Sequence, residues 1–179
     1  MGVSEDEFCI HVINFGLTNQ YQLGFPQSHI PYTRYMTFTS TTRFLSVNGH
    51  QGIEQSHHDD LESLAYILIY FLWGSLPWQG LEVKSSKGGY AQIMKKKVAT
   101  TDVLCASLPS AFTVFLHYAW NLAFGATPDY NYICKLFQDA FGAAGFTNDG
   151  IFDWNLTGMV CVSDGLCYPD DCLSLELLD

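Results

Sequence analysis

The sequence is poor in positive charge. Eight lysines and arginines stand against 18 aspartates and glutamates, which gives a formal net charge of -10. Binding to nucleic acid or to acidic membrane surfaces relies on clustered cations. The only basic cluster is Lys95 to Lys97, and we predict that it is a solvated helix face. We therefore expect neither nucleic acid nor a membrane among the partners.

The chain also lacks a long apolar run and a secretory signal. The main apolar run, Leu64 to Trp73, has ten residues, whereas a membrane-spanning helix needs about 20. The cationic start and apolar stretch of a signal peptide are missing, so the six cysteines are expected to be free thiols. Those in the tail match no C-x-x-C zinc pattern. These features favour an intracellular protein, cytoplasmic or nuclear.

One helix is expected to organise the fold. Asp59 to Trp73 begins with acidic residues that suit the positive end of a helix, Ser56 can cap the first turn, and Gly74 suits a left-handed C-terminal cap. After Leu64 almost every position is apolar, which predicts a helix buried on all sides.

Three more helices are predicted downstream, within 87–98, 110–124 and 128–144, because apolar residues recur there at helical spacing. A chain of 179 residues with 48% hydrophobic residues can bury one domain's core. The expected fold is therefore mainly α, with helices packed around one central helix.

The rest of the chain is predicted to be less regular. A short strand is expected within Phe8 to Ile13. A long loop is expected from Thr18 to Gln55, where a protein partner would bind. The predicted organisation is a short N-terminal segment at 1–13, a main region at 14–156, and an acidic, cysteine-containing tail at 157–179.

Seven short strings resemble, in order and spacing, the C-terminal lobe of casein kinase 1 family Ser/Thr protein kinases. They are His29-Ile30-Pro31-Tyr32, Gly52-Ile53-Glu54-Gln55-Ser56, Asp59-Asp60-Leu61-Glu62-Ser63, Gly74-Ser75-Leu76-Pro77-Trp78-Gln79-Gly80, Val103-Leu104-Cys105, Pro128-Asp129-Tyr130 and Phe152-Asp153-Trp154-Asn155. The resemblance implies a kinase-like C-terminal lobe without the N-terminal lobe.

The resemblance also marks where the chain departs from a working kinase. Asn14-Phe15-Gly16 stands where the family has its Asp-Phe-Gly magnesium motif, and a neutral amide is a poorer ligand for Mg²⁺ than a carboxylate. The glycine-rich loop, the ATP-binding lysine and the His-Arg-Asp catalytic loop are not found in the residues before Asn14. We therefore assign no catalytic residue, and expect ATP and magnesium only if a full-length kinase exists.

The anion site that the resemblance implies is also incomplete. Arg43 matches an arginine that in the family helps to hold a phosphate or acidic group of the substrate. The family's companion lysine aligns with Gly89, and His57-His58 stand where two arginines are usual. A metal site at His57 to Asp60 is disfavoured, because neighbouring side chains at a helix start point in different directions.

Asp60 resembles the kinase aspartate that accepts hydrogen bonds from the backbone of the catalytic loop. With that loop absent, it is expected to be a buried carboxylate without donors, which is costly or raises its pKa. Leu64, Ile67, Leu68 and Phe71 would face the missing upstream helix. A marginally stable chain, or one that seeks a partner, is therefore expected.

Three functions remain open at this stage. The chain could be a non-catalytic, pseudokinase-type binding module. It could instead be an incomplete reading of a Ser/Thr kinase that acts on acidic or primed protein substrates. It could also be an inert degenerate copy. Asn14 favours the first and third readings, whereas the intact strings at Asp59–Ser63 and Gly74–Gly80 keep the second open.

Overall fold

The computed structural model describes residues 10–13, 15–34, 42–81, 86–150, 159–161 and 167–169. The chain divides into two compact units, one of residues 14–144 and the other of residues 1–13 with 145–179. Five α-helices are described, and the prediction of a mainly α fold is confirmed. They are α1 (Val47–His50), α2 (His57–Trp73), α3 (Ser86–Leu104), α4 (Ser110–Asn121) and α5 (Tyr130–Ala143).

The ends of α2 follow from local chemistry, as the sequence predicts. Ser56 is the N-cap residue, and its backbone N–H donates to the Asp59 carboxylate at 2.9 Å. Gly74 ends the helix in the left-handed conformation with φ of 71°, and its N–H donates to the Tyr70 carbonyl at 2.8 Å. A residue with a Cβ is disfavoured in that conformation, which explains the glycine.

The core forms between α2 and the elements after it. Leu61, Ala65, Tyr66 and Ile69 of α2 are buried, and so are Phe115, Leu116 and Ala119 of α4. Ile93 of α3, Ile133 of α5 and the loop residues Leu76 and Trp78 join the same cluster. Burying each large apolar side chain stabilises the fold by roughly 1.5–3 kcal/mol.

The prediction that α2 is buried on all sides is wrong. Leu64 is 43% exposed and Phe71 is 73% exposed, and Leu72 and Trp73 are exposed as well. Among the described residues, the neighbours of α2 cover only part of its circumference. An apolar helix sequence shows that each side of the helix can be buried. It does not show whether another part of the chain packs against that side.

The other three predicted helices are present with different ends. The helix predicted at 87–98 extends to Leu104, the one at 110–124 stops at Asn121, where Leu122 is extended, and the last begins at Tyr130. Asp129 caps that last helix by accepting from the Tyr132 N–H at 2.9 Å. None of the described helices is long and apolar enough to cross a membrane.

Two irregular regions were predicted wrongly in part. Residues 10–13 form no strand, whereas residues 8 and 9 lie outside the described residues. The predicted loop from Thr18 to Gln55 contains α1 and an antiparallel pair, β1 (Gln22–Leu23) with β2 (Ser28–His29). A further antiparallel pair, β3 (Met159–Cys161) with β4 (Cys167–Pro169), lies in the segment predicted to be an acidic tail.

Candidate functional site

A polar cleft opens at the N-terminal end of α2. It encloses a cavity of about 230 Å³ and is lined by residues from the loop before β1 and from the segment that leads into α2. Thr18, Tyr21, Glu54, His57 and Asp60 supply polar groups to its walls. The Tyr21 ring contacts the edge of the His57 ring, with 4.3 Å between centroids.

The carboxylate of Asp60 has no hydrogen-bond partner among the described residues. The prediction of a buried side chain is wrong, because Asp60 is exposed toward the cleft. The cleft nevertheless removes enough water to raise the pKa of Asp60; the Asp59 charge raises it further, while His57 and His58 lower it. Such a carboxylate can accept N–H donors or pair with a cation from another molecule.

The neighbouring Asp59, in contrast, is fully engaged inside the protein. Its carboxylate accepts from the Ser46 hydroxyl at 2.5 Å and from the Ser56 N–H at 2.9 Å. Nε2 of the buried His58 lies 3.1 Å from the same carboxylate. The Ser46 hydroxyl also accepts from the Gly49 N–H at 2.9 Å, so it caps α1. This network attaches α1 to the start of α2.

The buried carboxylate of Glu62 also attaches the start of α1 to α2. Glu62 accepts from the Val47 N–H at 2.9 Å and from the Tyr66 hydroxyl at 2.7 Å. Burial raises the pKa of Glu62, and these two hydrogen bonds partly offset that effect.

Lys97 is the clearest departure from the sequence prediction. The cluster Lys95 to Lys97 was expected to be solvated, but only Lys95 and Lys96 are exposed, whereas Lys97 is 1% exposed. Nζ of Lys97 donates to the carbonyl of Leu45 and, at 3.2 Å, to that of Thr42.

Two aromatic rings also lie close to the Lys97 amine. Nζ lies 4.8 Å from the centroid of the Tyr66 ring and 5.0 Å from that of the Trp78 ring. Burial lowers the pKa of Lys97 to about 7, although the Glu62 charge opposes this change. The contacts hold residues 42–45 against the core.

Arg43 lies on the segment that Lys97 holds. Its guanidinium lies 5.4 Å from the centroid of the Tyr70 ring and 5.8 Å from that of Phe44. The Arg43 carbonyl accepts from the Trp78 indole N–H at 2.7 Å, which fixes the backbone. The side chain is exposed and forms no ion pair with any described residue. It can therefore meet an external anion.

The remaining predicted site residues are not brought together. Asn14 lies outside the described residues, and Phe15 and Gly16 form part of an exposed 3₁₀ turn, Phe15–Leu17. Gly89 is buried within α3. No group of three histidine, cysteine, aspartate or glutamate side chains suited to a metal ion occurs in the described part of the chain.

One surface of α2 leads away from the cleft. Asp60, Leu64, Ile67 and Phe71 follow each other at steps of four, three and four residues, so they share one side of the helix. We call this surface the Asp60 face. Leu64 and Phe71 are exposed and Ile67 is half-buried, whereas Leu68 packs against the core.

Sequence reasoning missed the roles of Ser46, Glu62 and Lys97. A signal for Lys97 was present, because it lies four residues after Ile93 and seven before Leu104, both of which are buried on the same side of α3. A lysine within such an apolar stripe indicates that its amine has partners inside the fold. No family model matches this chain.

Proposed function

We propose that this chain is a casein kinase 1-like C-terminal lobe that acts as a protein-binding module and does not transfer phosphate. The exposed Asp60 face carries the proposal, since two large apolar side chains and a carboxylate without a hydrogen-bond partner among the described residues lie in one row. Exposed apolar side chains grouped on one side of a helix favour an interaction site.

The chemistry of the face defines the partner. Leu64 and Phe71 suit an apolar helix that lies along α2, and burying the two side chains would each contribute roughly 1.5–3 kcal/mol. The Asp60 carboxylate needs N–H or cationic donors at the end of that helix. A cationic partner is also attracted by the net charge of -10. The occupant is thus a protein segment with an apolar helix and donor groups beside it.

A site-specific cross-linking experiment tests this proposal. A photoreactive phenylalanine analogue replaces Phe71 in cells, and the same analogue at Tyr132, which is 43% exposed on α5, is the control. We expect one defined protein to be cross-linked from position 71 and not from position 132. The product should disappear when Leu64→Asp is added. A product that persists in the Leu64→Asp protein would contradict binding at this face.

The same observation favours a second candidate, a Ser/Thr kinase whose upstream part continues the polypeptide. In that case the apolar helix belongs to the same molecule, and the cross-link from position 71 is intramolecular. The intact mass of the endogenous protein separates the two candidates. A longer kinase would still carry Asn14, so we expect Asn14→Asp to raise its magnesium-dependent activity.

Phosphate transfer by the 179-residue chain provides a separate test. We expect no transfer of label from Mg-ATP to casein and no thermal shift on addition of Mg-ATP, because the proposed role uses neither. The Asp60→Asn protein is the matched control. Label transfer that is lost in this variant would contradict the non-catalytic role.

A further inference from the structure

A second surface lies between the C-terminal ends of α2 and α3. It contains a groove with a cavity of about 320 Å³, lined mainly by apolar atoms of Trp73, Leu76, Pro77, Val103 and Leu104. This volume is at the lower end of the range for ligand pockets, which suits one large side chain and its immediate neighbours.

The groove has a buried floor and exposed walls. Leu76 and Leu104 are almost completely buried at its base, whereas Trp73 is 49% exposed and Val103 is 73% exposed. The loop after Gly74 has an internal hydrogen bond from the Leu76 N–H to the Gln79 side chain at 2.5 Å, and the Trp78 indole N–H attaches the loop to the Arg43 carbonyl. A pre-formed apolar groove loses little conformational entropy when it binds a ligand.

A positive charge lies beside this apolar surface. Lys96 also lines the groove, is exposed, and forms no ion pair with a described residue. Lys95 is exposed next to it on the same helix. In a chain with eight cationic and 18 acidic residues, a carboxylate of a partner is attracted here and repelled over most of the remaining surface.

We infer that this groove binds a short segment of a partner protein in which a large apolar side chain is flanked by a carboxylate. The apolar side chain enters between Trp73 and Val103, and the carboxylate pairs with Lys96. An exposed ion pair strengthens binding by no more than about fivefold, so the apolar contact supplies most of the affinity and the charge supplies selectivity.

The inference is independent of the proposed function because it concerns a different side of α2. Trp73 lies 13 residues after Asp60 in the same helix, which corresponds to a rotation of about 140° away from the Asp60 face. Phe71 and Val103 are both 73% exposed on helices. The substitutions Phe71→Asp and Val103→Asp are therefore matched controls for each other.

The test uses two synthetic peptides with fluorescent labels. Both contain adjacent leucine and phenylalanine residues; aspartates flank this pair in one peptide and lysines flank it in the other. Binding is measured by fluorescence polarisation at low ionic strength, with circular dichroism to verify that each variant is folded. In the Phe71→Asp protein, which isolates the groove from the Asp60 face, we expect the acidic peptide to bind at least tenfold more tightly than the basic one. Adding Val103→Asp should weaken binding of the acidic peptide at least tenfold.

The charge reversal Lys96→Glu provides a test that loss of folding cannot mimic. It should weaken binding of the acidic peptide and strengthen binding of the basic peptide, so that the two affinities become equal or their order is reversed. The Phe71→Asp protein, in which apolar binding at the Asp60 face is disrupted, should bind the acidic peptide as the unmodified chain does. Equal binding of the two peptides in the Phe71→Asp protein, no response to Lys96→Glu, or loss of acidic-peptide binding in Phe71→Asp would each overturn the inference.

Discussion

Replacing Lys97 by methionine tests whether the buried amine holds residues 42–45 against the core. Methionine keeps much of the apolar length of the side chain but removes the donor to the Thr42 and Leu45 carbonyls and the contacts with the Tyr66 and Trp78 rings. Each buried carbonyl left without a partner costs about 1–3 kcal/mol, and each lost contact with a ring about 1 kcal/mol.

Part of that loss is recovered, because the variant no longer has to bury an ammonium group. Burial already lowers the pKa of Lys97 to about 7, so near neutral pH the group is charged only part of the time, and the amine donates in either form. We therefore expect Lys97→Met to lower the free energy of unfolding by about 2–4 kcal/mol.

The assay is urea denaturation at pH 7, followed by tryptophan fluorescence. Lys95→Met is the matched control, since Lys95 is exposed two residues away on the same helix; it should change the free energy of unfolding by less than about 0.5 kcal/mol. If the two variants unfold at the same urea concentration, the amine of Lys97 does not hold this segment and the reasoning is refuted.

Three further predictions concern pH, backbone conformation and capping. The pKa of Lys97 in the folded chain is below its ordinary value of 10.5, so the unfolded chain binds more protons between pH 7 and 10. The stability lost in Lys97→Met should therefore grow with pH in urea titrations, by up to about 1.4 kcal/mol per pH unit. A difference that stays constant with pH would show that Lys97 stays charged. Gly74→Ala should destabilise the chain by about 1 kcal/mol in thermal unfolding, because φ at Gly74 is 71°. Gly142→Ala should instead stabilise the chain by up to about 1 kcal/mol, because Gly142 lies within α5 with open space around it. Equal effects of the two substitutions would contradict this prediction. Ser46→Ala should lower the free energy of unfolding, measured by urea denaturation, by about 1–2 kcal/mol, because the α1 cap and the hydrogen bond to the Asp59 carboxylate are lost. An unchanged free energy of unfolding would show that the cap is dispensable.

The helix ends show how far local chemistry can predict a fold. Ser56 and Gly74 mark the ends of α2 in the sequence, and the structure has its caps at these residues. The prediction succeeds because an N-cap and a left-handed C-cap involve only a few neighbouring residues. The antiparallel pair at Gln22–Leu23 and Ser28–His29 was missed, since strands of two residues are too short for a periodic pattern.

The candidate site was less predictable, because it depends on contacts distant in sequence. Asp59 and Asp60 are adjacent and chemically identical, but one bonds Ser46 and the other faces the cleft. Arg43 was found through the family resemblance, but its position over the Tyr70 ring could not be read from the sequence.

The sequence by itself determined the mainly helical fold, the ends of the central helix and the acidic character of the chain, because these follow from periodicity, capping and composition. Only the tertiary structure decided which of the three lysines at 95–97 is buried and which sides of α2 stay exposed. Helical spacing places residues on a common face, but whether that face meets protein or water depends on residues far away in the sequence.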